Sequence, residues 1–299
     1  MIPKHLASAM TWYNRVMSET ITLKLKKEQE EKLFETWKEY QTKTPPYARW
    51  QLRPENCVIT CYESGKTVFQ GKDANVYASA FNKPKDTNEQ IPQAGSDEVG
   101  TGDYFGPVCV CATAVDHQHV DILKKLGVKD SKAINDEMIQ EIAPKLIEEL
   151  PHSLLIVDNK KYNSIHKIYN MNEIKAILHN QAYVNLSKKI KLPDFKVVDQ
   201  FAREDLYYHY LRNEPTVISG IHFETKAENK YLAVASASII ARYAFIRSMD
   251  ALSQQYHMTF EKGAGAAVDQ FAKQFVKQYG FDELKNVAKL HFKNTEKLL

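Results

Sequence analysis

Apolar and polar positions along this chain fall into two regimes. Over the first ninety residues, short runs of period two flank a single helical stretch; beyond residue 93, apolar runs alternate with helical patterns. In the first regime residues 21–25 alternate like a strand. Leu33, Phe34 and Trp37 then recur at helical spacing among glutamates and lysines over residues 26–40. Pro45 and Pro46 break that pattern. Strand-like runs follow at 48–52 and 57–62, a turn at Glu63-Ser64-Gly65, and a returning strand at 66–70 that predicts a hairpin. Residues 74–81 read as a short closing helix. A polar stretch bracketed by prolines comes next. It divides the chain into a small α+β unit over 1–82, a linker over 83–93 and a larger unit over 94–299.

In the second regime an apolar strand is expected at 108–115, an amphipathic helix at 136–150 and a buried strand at 153–157. A long helix at 172–190 and a strand at 195–198 follow, then a further strand near 218–223. Strand alternating with helix is the pattern of an α/β layered sheet. Residues 232–242 form a helix of unusually small side chains, which lets its backbone pack close against that sheet.

Composition adds little to this fold picture but narrows the function. At 299 residues the chain can bury a substantial core, and its 43% apolar and 26% charged residues are those of an ordinary globular protein. No apolar run reads as a bilayer span and the N-terminus lacks a signal-peptide core, so a cytoplasmic protein with no membrane association is expected. Cys57, Cys61, Cys109 and Cys111 are spaced C-x3-C and C-x-C within strand-like segments, which predicts buried, reduced thiols. Residues 1–90 hold fourteen Lys and Arg against eleven Asp and Glu, so the whole net charge of +3 resides there. Arg49, Arg53, Lys66 and Lys72 fall on or beside the expected sheet, interleaved with Tyr47, Trp50 and Tyr62. Basic and aromatic residues so placed suit a nucleic-acid backbone.

Candidate chemistry centres on acids. Asp97 and Glu98 are adjacent at the end of an apolar approach and precede a loop with three glycines and a proline. Strand side chains alternate, so both acids reach one site only if the chain bends there, which the glycines would permit. Asp199 ends a later strand, and Glu228 follows another. Strand-end carboxylates of an α/β sheet converge at one edge. Four carboxylates without a histidine or cysteine cluster suit hard cations, Mg²⁺ or Mn²⁺, and would repel one another without metal.

The run Gly95-Ser96-Asp97-Glu98-Val99-Gly100-Thr101-Gly102-Asp103-Tyr104-Phe105-Gly106-Pro107 resembles the first motif of type 2 ribonucleases H. Lys129-Asp130-Ser131-Lys132, Asp199-Gln200-Phe201 and Lys226-Ala227-Glu228 match the later motifs in order. The added N-terminal unit, glutamate at position 228 and the ending Ala288-Lys289-Leu290-His291-Phe292 resemble the ribonuclease HIII branch.

This resemblance implies an RNase H-like mixed sheet flanked by helices, preceded by an α+β domain resembling half of a TATA-binding protein. It implies hydrolysis of the RNA strand of RNA/DNA hybrids by a two-metal mechanism, leaving 5′-phosphate and 3′-hydroxyl ends; no obligate protein partner is expected. It assigns Asp97, Glu98, Asp199 and Glu228 as catalytic, metal-binding carboxylates. Ser96, Gly100, Thr101, Gly102, Lys129, Ser131 and Lys132 become substrate contacts, joined in the N-terminal domain by Arg49, Trp50, Arg53, Lys66 and Lys72. Ribonuclease HII relatives place arginine between the two glycines where Thr101 stands, which favours the HIII branch. The alternative is an HII-like enzyme that cuts at single ribonucleotides embedded in DNA. Glu261 replaces the proline expected before Lys262-Gly263-Ala264-Gly265, and no role is assigned to that loop. His291 and Lys293 are further residues that could approach substrate.

Overall fold

A computed structural model describes residues 19–79, 81, 90–128 and 134–298. Contacts divide the chain into two compact units, Met1–Asp86 and Thr87–Leu299.

In the first unit, strands β1 (Glu19–Lys24), β2 (Ala48–Leu52), β3 (Cys57–Tyr62) and β4 (Lys66–Gly71) form an antiparallel sheet in the order β1-β4-β3-β2. The expected hairpin is β3 with β4, paired from Cys57↔Gly71 to Cys61↔Thr67. Period-two alternation turns Trp50, Leu52, Ile59, Cys61 and Phe69 to one face. Leu33 and Phe34 of helix α1 (Lys27–Trp37) and Ala74 and Ala78 of α2 (Ala74–Ser79) join them in the core. Trp50 is therefore a core residue, its ring 5.5 Å from that of Phe34, and it is not available as the substrate contact expected of it. Arg49 is exposed and pairs with Glu30 of α1 at 2.9 Å, and Arg53, Lys66 and Lys72 are exposed as well.

The second unit is built on a five-stranded mixed sheet in the order β7-β6-β5-β8-β9: β5 (Gln93–Val99), β6 (Val108–Val115), β7 (His152–Val157), β8 (Phe195–Asp199) and β9 (Ile221–Glu224). Gln93, expected in the linker, is already the first residue of β5, and residues 83–89 of that linker lie outside the described set. β5 runs antiparallel to β6 and parallel to β8, and β8 runs parallel to β9. The C-terminal ends of β5, β7, β8 and β9 therefore share one edge.

Two helical layers cover the faces. On one side lie α3 (Val120–Lys125), α4 (Asp136–Glu149) and α8 (Leu232–Tyr256), in a core with Cys109, Cys111 and Val115 of β6. On the other lie α5 (Asn159–Ile165), α6 (Met171–Ser187) and α7 (Glu204–Tyr210), against Val108, Val110 and Ala112. Helices α9 (Ala266–Tyr279), α10 (Leu284–Val287) and α11 (Lys293–Glu296) complete the chain. All four cysteines are free and buried.

Helix α8 is long and apolar enough to cross a membrane by length and composition, longer than the sequence reading allowed, but most of it is buried on the sheet. Its small residues serve the close approach anticipated for them. A Cβ on Gly95 would stand 2.4 Å from the Val234 nitrogen, so only glycine fits there. The first turn of α8 is satisfied by the sheet itself: Ala233 N–H donates to Gln93 Oε1 at 3.0 Å, and Thr113 Oγ1 donates to the Ala233 carbonyl at 2.8 Å.

Candidate active site

Asp97, Glu98, Asp199 and Glu228 gather at the shared strand-end edge. The bend expected between the first two is absent, yet at the strand end Glu98 is still close enough for its charge to raise both Asp97 and Asp199, so no bend is needed to bring it to the site. β5 stays in register with β6 through Asp97↔Cys111, Glu98↔Val110 and Val99↔Cys109. Directly opposed residues of an antiparallel pair share a face. Asp97 thus points with Cys111 toward α8, and Glu98 points with Val110 toward α6. Asp199 has the parity of Val197, which packs with Ala227 and Val234 on the α8 side. Its Oδ1 accepts the Ala227 N–H at 2.9 Å and so anchors the short turn Ala227–Asn229 that carries Glu228, itself 9% exposed. Lys226 enters that turn with a left-handed φ of 56°.

The strand can run straight because Glu98 finds partners on its own face. Lys175 and His179, one turn apart on α6, both engage it. His179 Nε2 lies 2.8 Å from Glu98 Oε2, and the Lys175 ammonium is paired with Oε1. His179 Nδ1 meets Ser96 Oγ at 2.8 Å, and Phe201 stacks on His179 with the Lys175 ammonium 4.1 Å from its ring centre. Ser96 is fully buried under this arrangement, so its side chain braces His179 and cannot be the substrate contact expected of it. Lys175 and His179 escaped the sequence reading. Their i, i+4 spacing was the available signal, but it is shared by many helix faces.

These partners split the acids electrostatically. Burial alone would raise the Glu98 carboxyl, but His179 and Lys175 outweigh it and hold it below the ordinary range. Asp97 has no such cation. Burial and the charges of Glu98 and Asp199 push it up, against hydrogen bonds from Ser238 and the Glu98 N–H. Asp199 is raised by burial, then by Glu228 and Glu98, against the N–H groups of Ala227 and Lys226. Among the described residues, no three His, Cys, Asp or Glu side chains already stand in metal-ligating geometry. Even so, Asp97, Asp199 and Glu228 present only carboxylate oxygens on one face. Burial comes first in raising Asp97 and Asp199, and the charge repulsion added to it is what a divalent cation relieves, so the donor set fits a hard cation.

Glu224, at the end of β9, braces the same turn from below. It accepts from the Tyr231 hydroxyl at 2.5 Å, lies 3.2 Å from His222 and pairs with Lys230. Burial would raise its carboxyl, but Lys230, Tyr231 and His222 hold it down to about 2, from 4.5. A depressed carboxylate contributes stability above its unfolded pKa and loses it as pH falls through the folded one. Glu224→Gln is therefore expected to be less stable by about 1–2 kcal/mol at pH 7, allowing for partial exposure. Urea midpoints should show the gap from the parent narrowing as pH falls from 4.5 toward 2; a gap that does not change with pH would remove the carboxylate as its source.

The glycine-rich loop after Glu98 starts from Gly100, whose φ of 94° and proximity to the Pro107 carbonyl (2.2 Å from a Cβ) both demand glycine. Thr101 is half-buried, and Gly102 is exposed in open space. The later glycine loop, to which the sequence attached no role, docks here: Gly263 N–H donates to Asp103 Oδ1 at 2.6 Å, and Tyr104 N–H donates to the Gly263 carbonyl at 2.8 Å. Lys262 pairs with Asp136. His291 stacks on His166 with centroids 4.0 Å apart, and Lys293 opens α11 as an exposed side chain. Lys129, Ser131 and Lys132 lie outside the described residues.

A family model described as Ribonuclease HII matches residues 94–295, and one described as a domain of unknown function matches residues 20–94. Ribonuclease HIII of Bacillus pumilus is 41% identical over 92% of this chain and 97% of its own length. Ribonuclease HIII of Staphylococcus epidermidis is 42% identical over 86% and 89%. The crystal structure of Bst-RNase HIII in complex with Mn²⁺ covers 94% of this chain and 98% of its own at a TM-score of 0.69 and 36% identity.

Proposed function

The chain belongs to the ribonuclease HIII family of type 2 ribonucleases H, and on that premise we propose that it is a metal-dependent endoribonuclease that hydrolyses the RNA strand of RNA/DNA hybrids in the cytoplasm. Its products are 5′-phosphate and 3′-hydroxyl ends. The observation that carries this reading is the set of Asp97, Asp199 and Glu228 on one face of the strand-end edge, with Glu98 beside them, Asp97 and Asp199 raised by burial and neighbouring charge.

These four carboxylates would hold the divalent metal, Mg²⁺ with Mn²⁺ as a substitute. Bound there, two such ions supply activation of the attacking water and stabilisation of the leaving 3′-oxygen. The chain's own residues position the rest. Asp199 fixes the turn that carries Glu228, and Lys175 and His179 fix the rotamer of Glu98. The backbone amides of Gly100, Thr101 and Gly102 face the RNA strand, where the open space at Gly102 allows close approach. Lys129, Ser131 and Lys132 contact a phosphate, a role that rests on motif order alone. The N-terminal domain over 1–82, joined by a linker that ends before Gln93 opens β5, adds affinity through exposed Arg53, Lys66 and Lys72, with Arg49 shared between substrate and Glu30. Hybrid preference follows from shape: a 2′-hydroxyl contact on one strand with a deoxy partner on the other excludes either pure duplex.

Two end-labelled duplexes in Mg²⁺ test the reading, one a continuous RNA/DNA hybrid and the other DNA with one embedded ribonucleotide. The expected result is cleavage at several positions of the hybrid while the single ribonucleotide is spared. Efficient cutting 5′ of the single ribonucleotide would instead assign the chain an HII-like specificity and leave Thr101 without its reading.

A further inference from the structure

Lys289 is fully buried, an uncommon place for an ammonium, and nothing in the proposed chemistry uses it. It belongs to Val287–Lys289, which runs alongside the base of the glycine-rich loop. Gly106 N–H donates to the Val287 carbonyl at 3.0 Å, Lys289 N–H donates to the Tyr104 carbonyl at 2.8 Å, and Phe105 bridges Ala288. From there the Lys289 ammonium donates to the Asp103 carbonyl at 2.8 Å and to the Gly106 carbonyl at 2.6 Å. Asn159 Nδ2 donates to the same Gly106 carbonyl at 2.8 Å. Between Asp103 and Gly100, which packs against Pro107 and Phe245, Gly102 is exposed with open space at its Cβ position.

An apolar side chain would fill this space without the cost of burying a charge. What the lysine supplies is donors, both aimed at main-chain carbonyls three residues apart in one loop. We propose that Lys289 is a positioning residue that locks the base of the glycine-rich loop and so holds the Gly100–Gly102 amides in register for the RNA strand. The proposal rests on the reading that this loop meets RNA. Burial also draws the ammonium down from its usual range to about 7, against the nearby Asp103, which agrees with a group held by geometry more than by counter-charge.

The test pairs two variants of the full chain, Lys289→Met, which keeps the volume and removes the donors, and Lys289→Gln, which keeps an amide donor. Two quantities are read for each: amide hydrogen exchange in peptides spanning residues 99–106, and steady-state cleavage of an RNA/DNA hybrid. For Lys289→Met, exchange in that segment is expected to quicken at least about tenfold, and kcat/KM to fall roughly ten- to a hundredfold, chiefly through KM. Lys289→Gln should lie between it and the parent, and it carries the test if the methionine variant does not fold. Unchanged exchange over 99–106 in the folded variant overturns the proposal. Quickened exchange with unchanged kinetics overturns instead the reading that the loop meets RNA, and with it the functional half of the inference.

Discussion

Asp97→Asn is expected to reduce kcat on an RNA/DNA hybrid by at least about a thousandfold while leaving the protein folded. Metal-assisted charge stabilisation is worth several kcal/mol, which converts to losses of that size. Asparagine can still accept the Glu98 N–H that Asp97 Oδ1 accepts at 2.8 Å, so the local backbone has no reason to move. The same change removes a buried carboxylate that Glu98 and Asp199 oppose. Without metal the variant should accordingly melt no lower than the parent. Single-turnover cleavage and thermal melts in chelator check both halves. Retained turnover would remove Asp97 from the metal set; a large drop in melting temperature would mean that the carboxylate does structural work its surroundings do not suggest.

Gly95→Ala should cost the protein a large part of its stability. The new Cβ would meet main-chain atoms, the Val234 nitrogen at 2.4 Å and the Ala233 carbonyl carbon at 2.7 Å, and backbone cannot rotate aside as a side chain can. Overpacking of this kind costs on the order of 3 kcal/mol, or about 6–12 °C in melting temperature for a domain of this size. Since Gly95 lies two residues before Asp97 on β5, any relief by sliding α8 also moves the acid, and activity should fall with stability. Gly102→Ala is the control: its Cβ would meet nothing within 4 Å, and its melting temperature should match the parent's. Equal melting temperatures for the two alanine variants would mean that helix and sheet are not held at this separation.

Much of this architecture was legible in advance because its signals are local. Period-two runs bounded by turn residues marked β2, β3 and β4, and Asn135 and Asn170 cap α4 and α6 where a polar residue precedes an apolar periodic run. The acids were legible because strand-end carboxylates in an alternating α/β chain have one edge on which to converge. Trp50 misled because an aromatic between Arg49 and Gln51 reads equally well from either face of a sheet, and only its alternation with buried Leu52 shows that it faces the core. Ser96 misled similarly: its motif is local, but its neighbour His179 is 83 residues away.

By itself, then, the chain's sequence determined the family, the order of the elements, the four carboxylates proposed as the metal site and the position of the glycine-rich loop, since each depends on residue type and short-range spacing. Only the tertiary structure decided which face each acid takes, that Glu98 has Lys175 and His179 as partners, and that Lys289 holds a loop 183 residues earlier in the chain. The physical reason is that the state of a buried charge is set by the donors and acceptors packed around it. Those neighbours are assembled by the fold from distant segments, and no local spacing records them.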